Sequence, residues 1–362
     1  MQATLDECRW LYNRLLEERK LAWEETDTSV RLYDQINRLV ALKAERPALA
    51  SAHSQVLQNV AVRLDLAFKA FFRRVKAGET PGFPRFRSYG RYDSFCYPQA
   101  GRKGGYAVDG NGPTARVFLS KIGHVKAIIH RPLAGDVKTC CVRRASTGKW
   151  YVAFSCEVED APLPVEDSAV GIDVGLASFA TMSDGSEIAN PRFFRRDEKA
   201  LAKAQRRLAK EPTPATGERA TPERRERRKV VARIHERIAD RRRDFAHQHS
   251  RRIIDAHGTI AVEDLFVNRM VHNHCLAKSI SDAAWSTFTS CLSYKAASAG
   301  RQYIEVNPAY TSQTCSGCGH RQRMPLVERM YRCPCCHLDL PRDHNAAINI
   351  ATLGLQSLGA NP

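Results

Sequence analysis

The chain has 362 residues, of which 43% are hydrophobic, and a formal net charge of +17 at pH 7. Its hydrophobic fraction excludes a globally disordered chain, and its length predicts about two or three domains. The excess of 56 Lys and Arg over 39 Asp and Glu favours a polyanionic partner, because cationic side chains release the counterions condensed on nucleic acid. A basic protein that is simply soluble is the alternative interpretation.

Neither membrane insertion nor secretion is indicated by the sequence. No stretch approaches the ~20 apolar residues of a membrane span, and the first residues, MQATLDECRWLYNRLLEERK, lack the apolar core of a signal peptide. We therefore expect a cytoplasmic protein with no membrane partner. Of the 12 cysteines, four stand in two C-x-x-C steps and most others are single within apolar runs. This usage predicts reduced thiols and a metal site rather than disulfides.

The N-terminal region has the apolar spacing of amphipathic helices. Helices are predicted over residues 2–25, from the capping residues Thr28 and Ser29 to before Pro47, and over about 51–77. The third carries a wide apolar face rich in Phe and Val. Three such helices in succession predict a small helical bundle.

From Gly78 the composition changes to Gly, Pro, Arg and aromatic residues, as in GETPGFPRFRSYGRYDSFCYPQ. Short strand-like runs follow at 115–119, 124–130, 137–144 and 149–159. They predict a small β-barrel or sheet. Arg interleaved with Phe and Tyr suits a nucleic-acid backbone and stacked bases, although this signal alone is weak.

The region from Ala169 alternates strands with long helices, which predicts a mostly parallel α/β sheet. AVGIDVGLASFATMSDG contains a buried strand, a turn and a second strand, and 186–189 is a candidate third. The later elements are predicted as helix 193–209, a Pro/Thr/Gly linker at 210–222, helix 223–256, strand 259–265, helix 281–299 and a last strand in RQYIEVNP. Residues 223–252 hold 12 Lys or Arg against five Asp or Glu. This excess favours contact with nucleic acid over a merely solvated helix face.

Three carboxylates stand at informative positions. Asp173 lies inside the first apolar strand, Glu263 ends the strand TIAVE, and Asp343 opens the final helix in RDHNAAINI. A buried charge is costly unless it is paired or binds a metal, and clustered carboxylates favour hard divalent cations. The arrangement predicts hydrolysis of phosphodiesters with two Mg²⁺ ions, with Asp173 bridging them. Asp264 is the rival of Glu263, since adjacent strand residues point to opposite faces.

Each acid taken alone also has a structural interpretation. A single Asp in a strand is more often a turn or cap residue, and Asp343 could simply cap its helix. The order of the three acids within this pattern of strands and helices favours the metal site.

A zinc site is predicted from Cys315, Cys318, Cys333 and Cys336, because two C-x-x-C turns can present four thiolates to one tetrahedral ion. Such a closed site stabilises structure and leaves no open position for catalysis. The run CPCC leaves Cys335 as an alternative to Cys336. His320 and His337 are interpreted as bystanders, and the pairs His247/His249 and His272/His274 lack an evident third ligand.

With these motifs in place, the chain resembles the TnpB (OrfB) family of transposon-encoded RNA-guided nucleases, relatives of type V CRISPR effectors. The resemblance is carried by successive blocks along nearly the whole chain: GFPRFRS, DSFCYPQ, GIDVGLASFAT, VEDL, NRMVHNHCLAKSISDAAW, VNPAYTSQTCSGCG and RDHNAAINI. It places Asp173, Glu263 and Asp343 on the family's catalytic acids.

The resemblance implies an α/β multidomain protein with an RNase H-like (RuvC) nuclease domain split around an inserted four-cysteine zinc ribbon. The implied segments are a helical recognition bundle at 1–77, a wedge-like β-barrel at 78–165, the first part of the nuclease domain at 166–310, the zinc ribbon at 311–338 and the last nuclease segment at 339–362. The implied partners are a guide RNA from the transposon end and a target DNA. Base pairing with the guide would select the target, while the protein would read a short motif beside it.

The chain departs from the family pattern in three ways. Family members usually begin with an additional barrel strand before the first helix, the glycine expected after the last zinc cysteine is His337, and the acid expected two residues before Asp343 is Pro341. Two alternatives follow for the function. One is an RNA-guided DNA-binding protein that lost cleavage with the missing strand, and the other is a transposase that joins DNA strands with the same acids.

Overall fold

The structure is a computed structural model that describes residues 1–110, 112–159, 161–215, 218, 220–325 and 327–359. The chain divides into two compact units, Met1–Glu159 and Asp160–Pro362. Part of the predicted linker at 210–222 lies outside the described residues. Within them, no helix combines the length and the apolar character needed to cross a membrane.

Helices open the first unit, as the apolar spacing predicted. They are α1 (Gln2–Thr26), α2 (Leu32–Glu45), a 3-10 turn (Pro47–Ser51) and α3 (Ser54–Lys76). α2 begins later than predicted. The carboxylate of Asp34 accepts the backbone N–H of Arg31 at 2.8 Å, and this bond caps the helix in place of Thr28 or Ser29.

Two sheets follow in the first unit, and no closed barrel is shown among the described residues. Their strands are β1 (Ser94–Tyr97), β2 (Gln99–Ala100), β3 (Gly105–Asp109), β4 (Thr114–Leu119), β5 (Gly123–Ile128), β6 (Asp136–Arg144) and β7 (Trp150–Glu157). One sheet has the order β1-β6-β7 and the other β2-β3-β4-β5. Helices and sheets share one hydrophobic core, which includes Leu11, Leu57, Phe95, Tyr106 and Val142.

A cross-strand disulfide joins two strands of the first sheet. Cys96 on β1 and Cys141 on β6 are register partners with Cα atoms 4.1 Å apart, and their sulfurs are bonded. The expectation that cysteines outside the metal site stay reduced is therefore wrong for this pair. Their segments are 45 residues apart, and only the pairing of β1 with β6 brings the two thiols together.

The second unit is built on a five-stranded sheet. Its strands are β8 (Ala169–Val174), β9 (Ser178–Met182), β10 (Glu187–Ala189), β11 (Thr259–Glu263) and β12 (Gln302–Val306), in the order β10-β9-β8-β11-β12. β8, β11 and β12 are parallel, as predicted, whereas β9 and β10 run antiparallel to their neighbours. The turns between β8, β9 and β10 are too short for a crossover, so these strands can pair only as hairpins.

Helices complete the second unit. They are α4 (Phe193–Ala209), α5 (Pro222–Ala256), α6 (Val267–Met270), α7 (Ala277–Ala283), α8 (Trp285–Ala299) and α9 (Arg342–Ser357), with the short strands β13 (Met330–Arg332) and β14 (Asp339–Pro341) before α9. The single helix predicted over 281–299 is two helices, because Ala284 takes a left-handed conformation with φ 57°. The break lets buried Asp282 accept the N–H of Phe194 and bind Arg242, whose Nη2 lies 2.6 Å away.

Alternate residues of the central strands determine which helix covers which face of the sheet. Val170, Ile172, Ile260 and Val262 pack in one core with residues of α5 and α8. The residues between them point the other way, toward α9. A Cβ on Gly171 would overlap the backbone of Ala347 and Ala351 in α9, so this position requires glycine for the helix to lie directly on β8.

Candidate active site and metal centres

Asp173 and Glu263 lie side by side at the carboxyl ends of β8 and β11. Ile172 is the register partner of Val262, so each acid is the next residue on its own strand. Both alternate with residues that face α5 and α8, and both therefore project on the α9 side of the sheet. Neighbouring strands are about 4.8 Å apart, which sets the scale of the separation between the two acids.

Asp343 joins them from the first turn of α9. The close approach of α9 at Gly171 fixes the helix over β8, and its N-terminal turn carries Asp343 toward Asp173. We call Asp173, Glu263 and Asp343 the acidic cluster. The structure thus brings together three residues from segments far apart in the sequence.

The electrostatics of the acidic cluster show how closely its members interact. Burial raises the pKa of Asp173 to about 8, and the negative charges of Glu263 and Asp343 add to this rise, while Arg342 opposes it. Burial also raises the pKa of Glu263, against a hydrogen bond from Thr311 that lowers it. Such shifts mark carboxylates that lack enough positive charge around them.

The acidic cluster fits divalent cations in its chemistry. Its donors are carboxylate oxygens, which hard cations such as Mg²⁺ prefer. The nearby guanidinium of Arg342 is already engaged with the carbonyl of Pro325 and the hydroxyl of Ser312. The oxygens of the three carboxylates do not all lie within 4.8 Å of one another, as the ligands of a single ion would. A pair of ions about 3.5–4 Å apart spans a wider ligand set than a single ion does, provided that one carboxylate is shared.

Asp264 is separated from the acidic cluster. It follows Glu263 on the chain, is exposed, and donates its backbone N–H to the carbonyl of Val306 at 2.9 Å. Burial and the neighbouring Glu305 raise the pKa of the Tyr303 hydroxyl, and the charge of Asp264 adds to this rise. The geometry therefore favours Glu263 over Asp264 as the partner of Asp173.

Sequence patterns did not indicate the residues that support the acidic cluster. The hydroxyl of buried Thr311 donates to Glu263 Oε1 at 2.6 Å. Asn345 and Asn349 of α9 bind the backbone around Thr314. The spacing of the two asparagines could have indicated their role. Asn345 and Asn349 are four residues apart, so they lie on one face of the helix that begins near Asp343.

Four thiols form a second cluster, between β12 and α9. The sulfurs of Cys315, Cys318, Cys333 and Cys336 all lie within 4.8 Å of one another, and within the described residues this is the one such group of His, Cys, Asp or Glu that could hold a metal. Cys315 Sγ is 3.5 Å from Cys336 Sγ, and Cys318 Sγ is 3.5 Å from Cys333 Sγ. We call these four residues the thiol cluster, and its geometry fits one tetrahedral Zn²⁺.

Backbone N–H groups support the sulfurs of the thiol cluster. The amides of Cys336 and Cys335 lower the pKa of Cys333 to about 6. Cys335 is exposed and lies outside the thiol cluster, as expected from the C-x-x-C spacing. His337 has φ 59°, a left-handed conformation that favours glycine, which explains why the family pattern has glycine there.

The other candidate histidines have different surroundings. His247 Nδ1 lies 3.3 Å from the hydroxyl of Tyr294, and the ring of His249 packs 4.3 Å from that of Phe245. Burial lowers the pKa of His249. His272 and His274 are exposed. None of the four belongs to a metal-binding group in the described part of the chain.

The basic helix α5 divides its arginines between two roles. Arg237 and Arg241 bind the buried carboxylate of Asp197 on α4, with the Nη1 of Arg241 3.0 Å from Asp197 Oδ2. Arg225 and Arg233 are exposed. Part of the charge excess therefore binds neighbouring helices, as Arg242 also does through Asp282, and another part faces solvent, where it can meet a polyanion.

Comparisons with known proteins agree with this architecture. The OrfB model of IS605, described as a probable transposase, matches residues 153–274, and the Cas12f1-like TNB domain matches 285–350. The chain is 34% identical to a "Putative RNA-guided DNA endonuclease" of Streptomyces pristinaespiralis, over 96% of this chain and 83% of that protein. It is 32% identical to the "Putative RNA-guided DNA endonuclease InsQ" of Escherichia coli K12, over 96% and 86%.

A solved structure shows the same fold. The Cas12f1 chain in a cryo-EM complex with sgRNA and target DNA superposes with a TM-score of 0.62 at 16% identity, covering 96% of this chain and 81% of that one. A Cas12f1 endodeoxyribonuclease of Sulfoacidibacillus thermotolerans is 29% identical over 65% of this chain and 58% of its own length. Because the chain is more than 30% identical to two RNA-guided DNA endonucleases over 96% of its length, it belongs to the TnpB (OrfB) family of transposon-encoded RNA-guided DNA endonucleases.

Proposed function

We propose that this family member, an RNA-guided DNA endonuclease, cuts its target with Mg²⁺ held by the acidic cluster. One observation carries the proposal. Three acids from distant segments lie near the carboxyl ends of β8 and β11, where burial together with the charges of Glu263 and Asp343 raises the pKa of Asp173. A cluster with uncompensated negative charge is the arrangement that divalent cations stabilise.

Each acid has a distinct role in this proposal. Asp173 would be the central ligand for Mg²⁺, because it is the residue on which the charges of Glu263 and Asp343 both act. Glu263 and Asp343 would supply the remaining carboxylate ligands. When bound, the ions activate a water and stabilise the leaving oxygen of the phosphodiester. The chain itself orients the scissile strand at the carboxyl ends of β8 and β11.

The sheet order β10-β9-β8-β11-β12 with α9 packed on it supports an RNase H-like (RuvC) domain formed by 166–310 and 339–362. The thiol cluster would hold one structural Zn²⁺ in an inserted ribbon at 311–338. We assign 1–77 to recognition and 78–165, most of which belongs to the first unit, to a wedge-like role. A guide RNA and target DNA would lie along the exposed arginines.

The decisive experiment is guided cleavage by Asp173→Ala. We expect DNA cleavage to fall by on the order of 10³-fold, because several kcal/mol of transition-state stabilisation are lost. Binding of guide RNA and target should persist. Asp167→Ala is the matched control, since exposed Asp167 precedes the other end of β8. Unchanged cleavage by Asp173→Ala would exclude the acidic cluster as the active site.

A second candidate function is strand transfer with the same acids, which the match to a model described as a probable transposase favours. Joined DNA products in a reaction with transposon-end DNA would support it. Cleavage products without joined strands would support the endonuclease alone.

A further inference from the structure

The hydroxyl of Thr311 makes the shortest described hydrogen bond to the acidic cluster. Thr311 is 5% exposed, and its Oγ1 lies 2.6 Å from Glu263 Oε1 and 3.2 Å from the carbonyl of Pro308. One hydroxyl proton can serve only one acceptor, and the charged, nearer carboxylate is the stronger one. The bond engages Oε1 of Glu263, one of its two carboxylate oxygens.

Thr311 is itself held on the helix that carries Asp343. The two N–H groups of Asn349 Nδ2 donate to the carbonyls of Thr311 at 2.8 Å and Thr314 at 2.7 Å. Asn345 Nδ2 donates to the same Thr314 carbonyl at 2.7 Å, and Asn345 Oδ1 accepts the N–H of Ser316 at 2.9 Å. The segment 311–316, which we call the clamp segment, is therefore bound to α9 along its length.

The clamp segment also contains Cys315, the first residue of the thiol cluster. Arg342, next to Asp343, reaches the same region with Nη2 3.2 Å from the hydroxyl of Ser312 and Nη1 3.0 Å from the carbonyl of Pro325. One short stretch of chain thus touches Glu263, the helix of Asp343 and the thiol cluster.

We propose that Thr311 is a positioning residue that orients Glu263 for divalent cations, and that Asn349 fixes Thr311 by binding the clamp segment to α9. The proposal rests on the proposed function of the acidic cluster. In this role Thr311 acts through Glu263 and not on the substrate. It acts on the affinity of the site for the cation, as residues that orient metal ligands do.

The first test is direct binding of Mn²⁺ to the full-length protein, followed by electron paramagnetic resonance of the free ion. Thr311→Val keeps the shape and removes the hydroxyl, and we expect it to weaken Mn²⁺ binding about 10-fold. Thr311→Ser keeps the hydroxyl and should bind Mn²⁺ within about twofold of the wild type. Thr314→Val is the matched control. The Thr314 hydroxyl also belongs to the clamp segment, but it donates to the Tyr310 carbonyl and not to the acidic cluster.

The second test is guided cleavage across a range of Mg²⁺ concentrations. Thr311→Val should raise the concentration for half-maximal cleavage by a similar factor and recover at saturating Mg²⁺. Wild-type Mn²⁺ affinity in Thr311→Val, or equal weakening in Thr311→Ser, would overturn the role of the hydroxyl. Full cleavage by Asp173→Ala would instead overturn the proposed function, so the two failures are distinguishable.

The role of Asn349 is tested by a double-mutant cycle. Asn349→Ala should weaken Mn²⁺ binding in the same direction as Thr311→Val. If Asn349 acts through Thr311, the double variant should bind no more weakly than Thr311→Val alone, because the second change then removes nothing further. Fully additive losses would show that Asn349 acts by another route and would overturn this part of the proposal.

Discussion

The thiol cluster and the acidic cluster are both groups of side chains that become negative on deprotonation, and they differ in their surroundings. Among the thiols, backbone N–H groups lower the pKa of Cys333 to about 6, whereas burial and hydrogen bonds among the thiols raise the pKa values of Cys315, Cys318 and Cys336. Around the acids, burial and mutual repulsion raise the pKa of Asp173 to about 8. A local turn can thus prepare one thiolate ligand by its own backbone, whereas the other thiols and the acids gathered from distant segments depend on a cation for compensation.

Glu263 and Asp264 are neighbours in sequence, but only Glu263 belongs to the acidic cluster. Glu263→Gln keeps the hydrogen-bonding shape and removes the charge from the acidic cluster, so we expect cleavage to fall by at least about 100-fold. Asp264→Asn, on the exposed side, should cleave within about twofold of the wild type, as surface changes usually have small effects. Guided cleavage rates measure both. The reverse order of effects would assign the catalytic role to Asp264.

The thiol cluster is tested by two neighbouring cysteines. Cys336→Ser removes a ligand and should lose zinc and lower the melting temperature, because the bound metal contributes folding free energy to so small a segment. Cys335→Ser should retain about one zinc per chain. The zinc content of each folded variant, measured by metal analysis, shows which cysteine is the ligand. Zinc retained by Cys336→Ser and lost by Cys335→Ser would contradict the assignment.

The smallest expected effect is the pH dependence of stability caused by Asp173. Its pKa in the folded protein is about 8, above the ordinary value of 3.8, so the folded state binds more protons than the unfolded state between these values. Stability of the Mg²⁺-free protein therefore falls as pH rises through this window. Asp173→Asn removes the effect and should be more stable than the wild type at pH 8, by on the order of 2 kcal/mol.

Thermal unfolding of both proteins at pH 5.5 and pH 8, without Mg²⁺, measures this difference. Added Mg²⁺ should stabilise the wild type at pH 8 and have little effect on Asp173→Asn, since the cation binds the folded state through the charge that the variant lacks. A difference between the two proteins that does not change with pH would show that the pKa of Asp173 is not raised in the folded protein.

Most secondary structure and the thiol cluster were predictable from the sequence. Helical and strand periodicity located α1, α4, α5 and the five strands of the second unit, because these patterns are local. The four cysteines were predictable for the same reason, since each pair lies within one turn and the spacing alone brings two sulfurs together. Motif order was sufficient to indicate the family.

Other features were decided by the tertiary structure. The break at Ala284 and the disulfide between Cys96 and Cys141 accompany contacts between segments distant in sequence, whereas the antiparallel β9 and β10 follow from the short turns between consecutive strands. Glu263 is distinguished from Asp264 only by the face that α9 covers, and Thr311 reaches Glu263 across 48 residues of chain. Sequence alone determined which chemical groups are present, whereas packing decided which of them meet, because contacts across the sheet follow strand register and helix position rather than spacing along the chain.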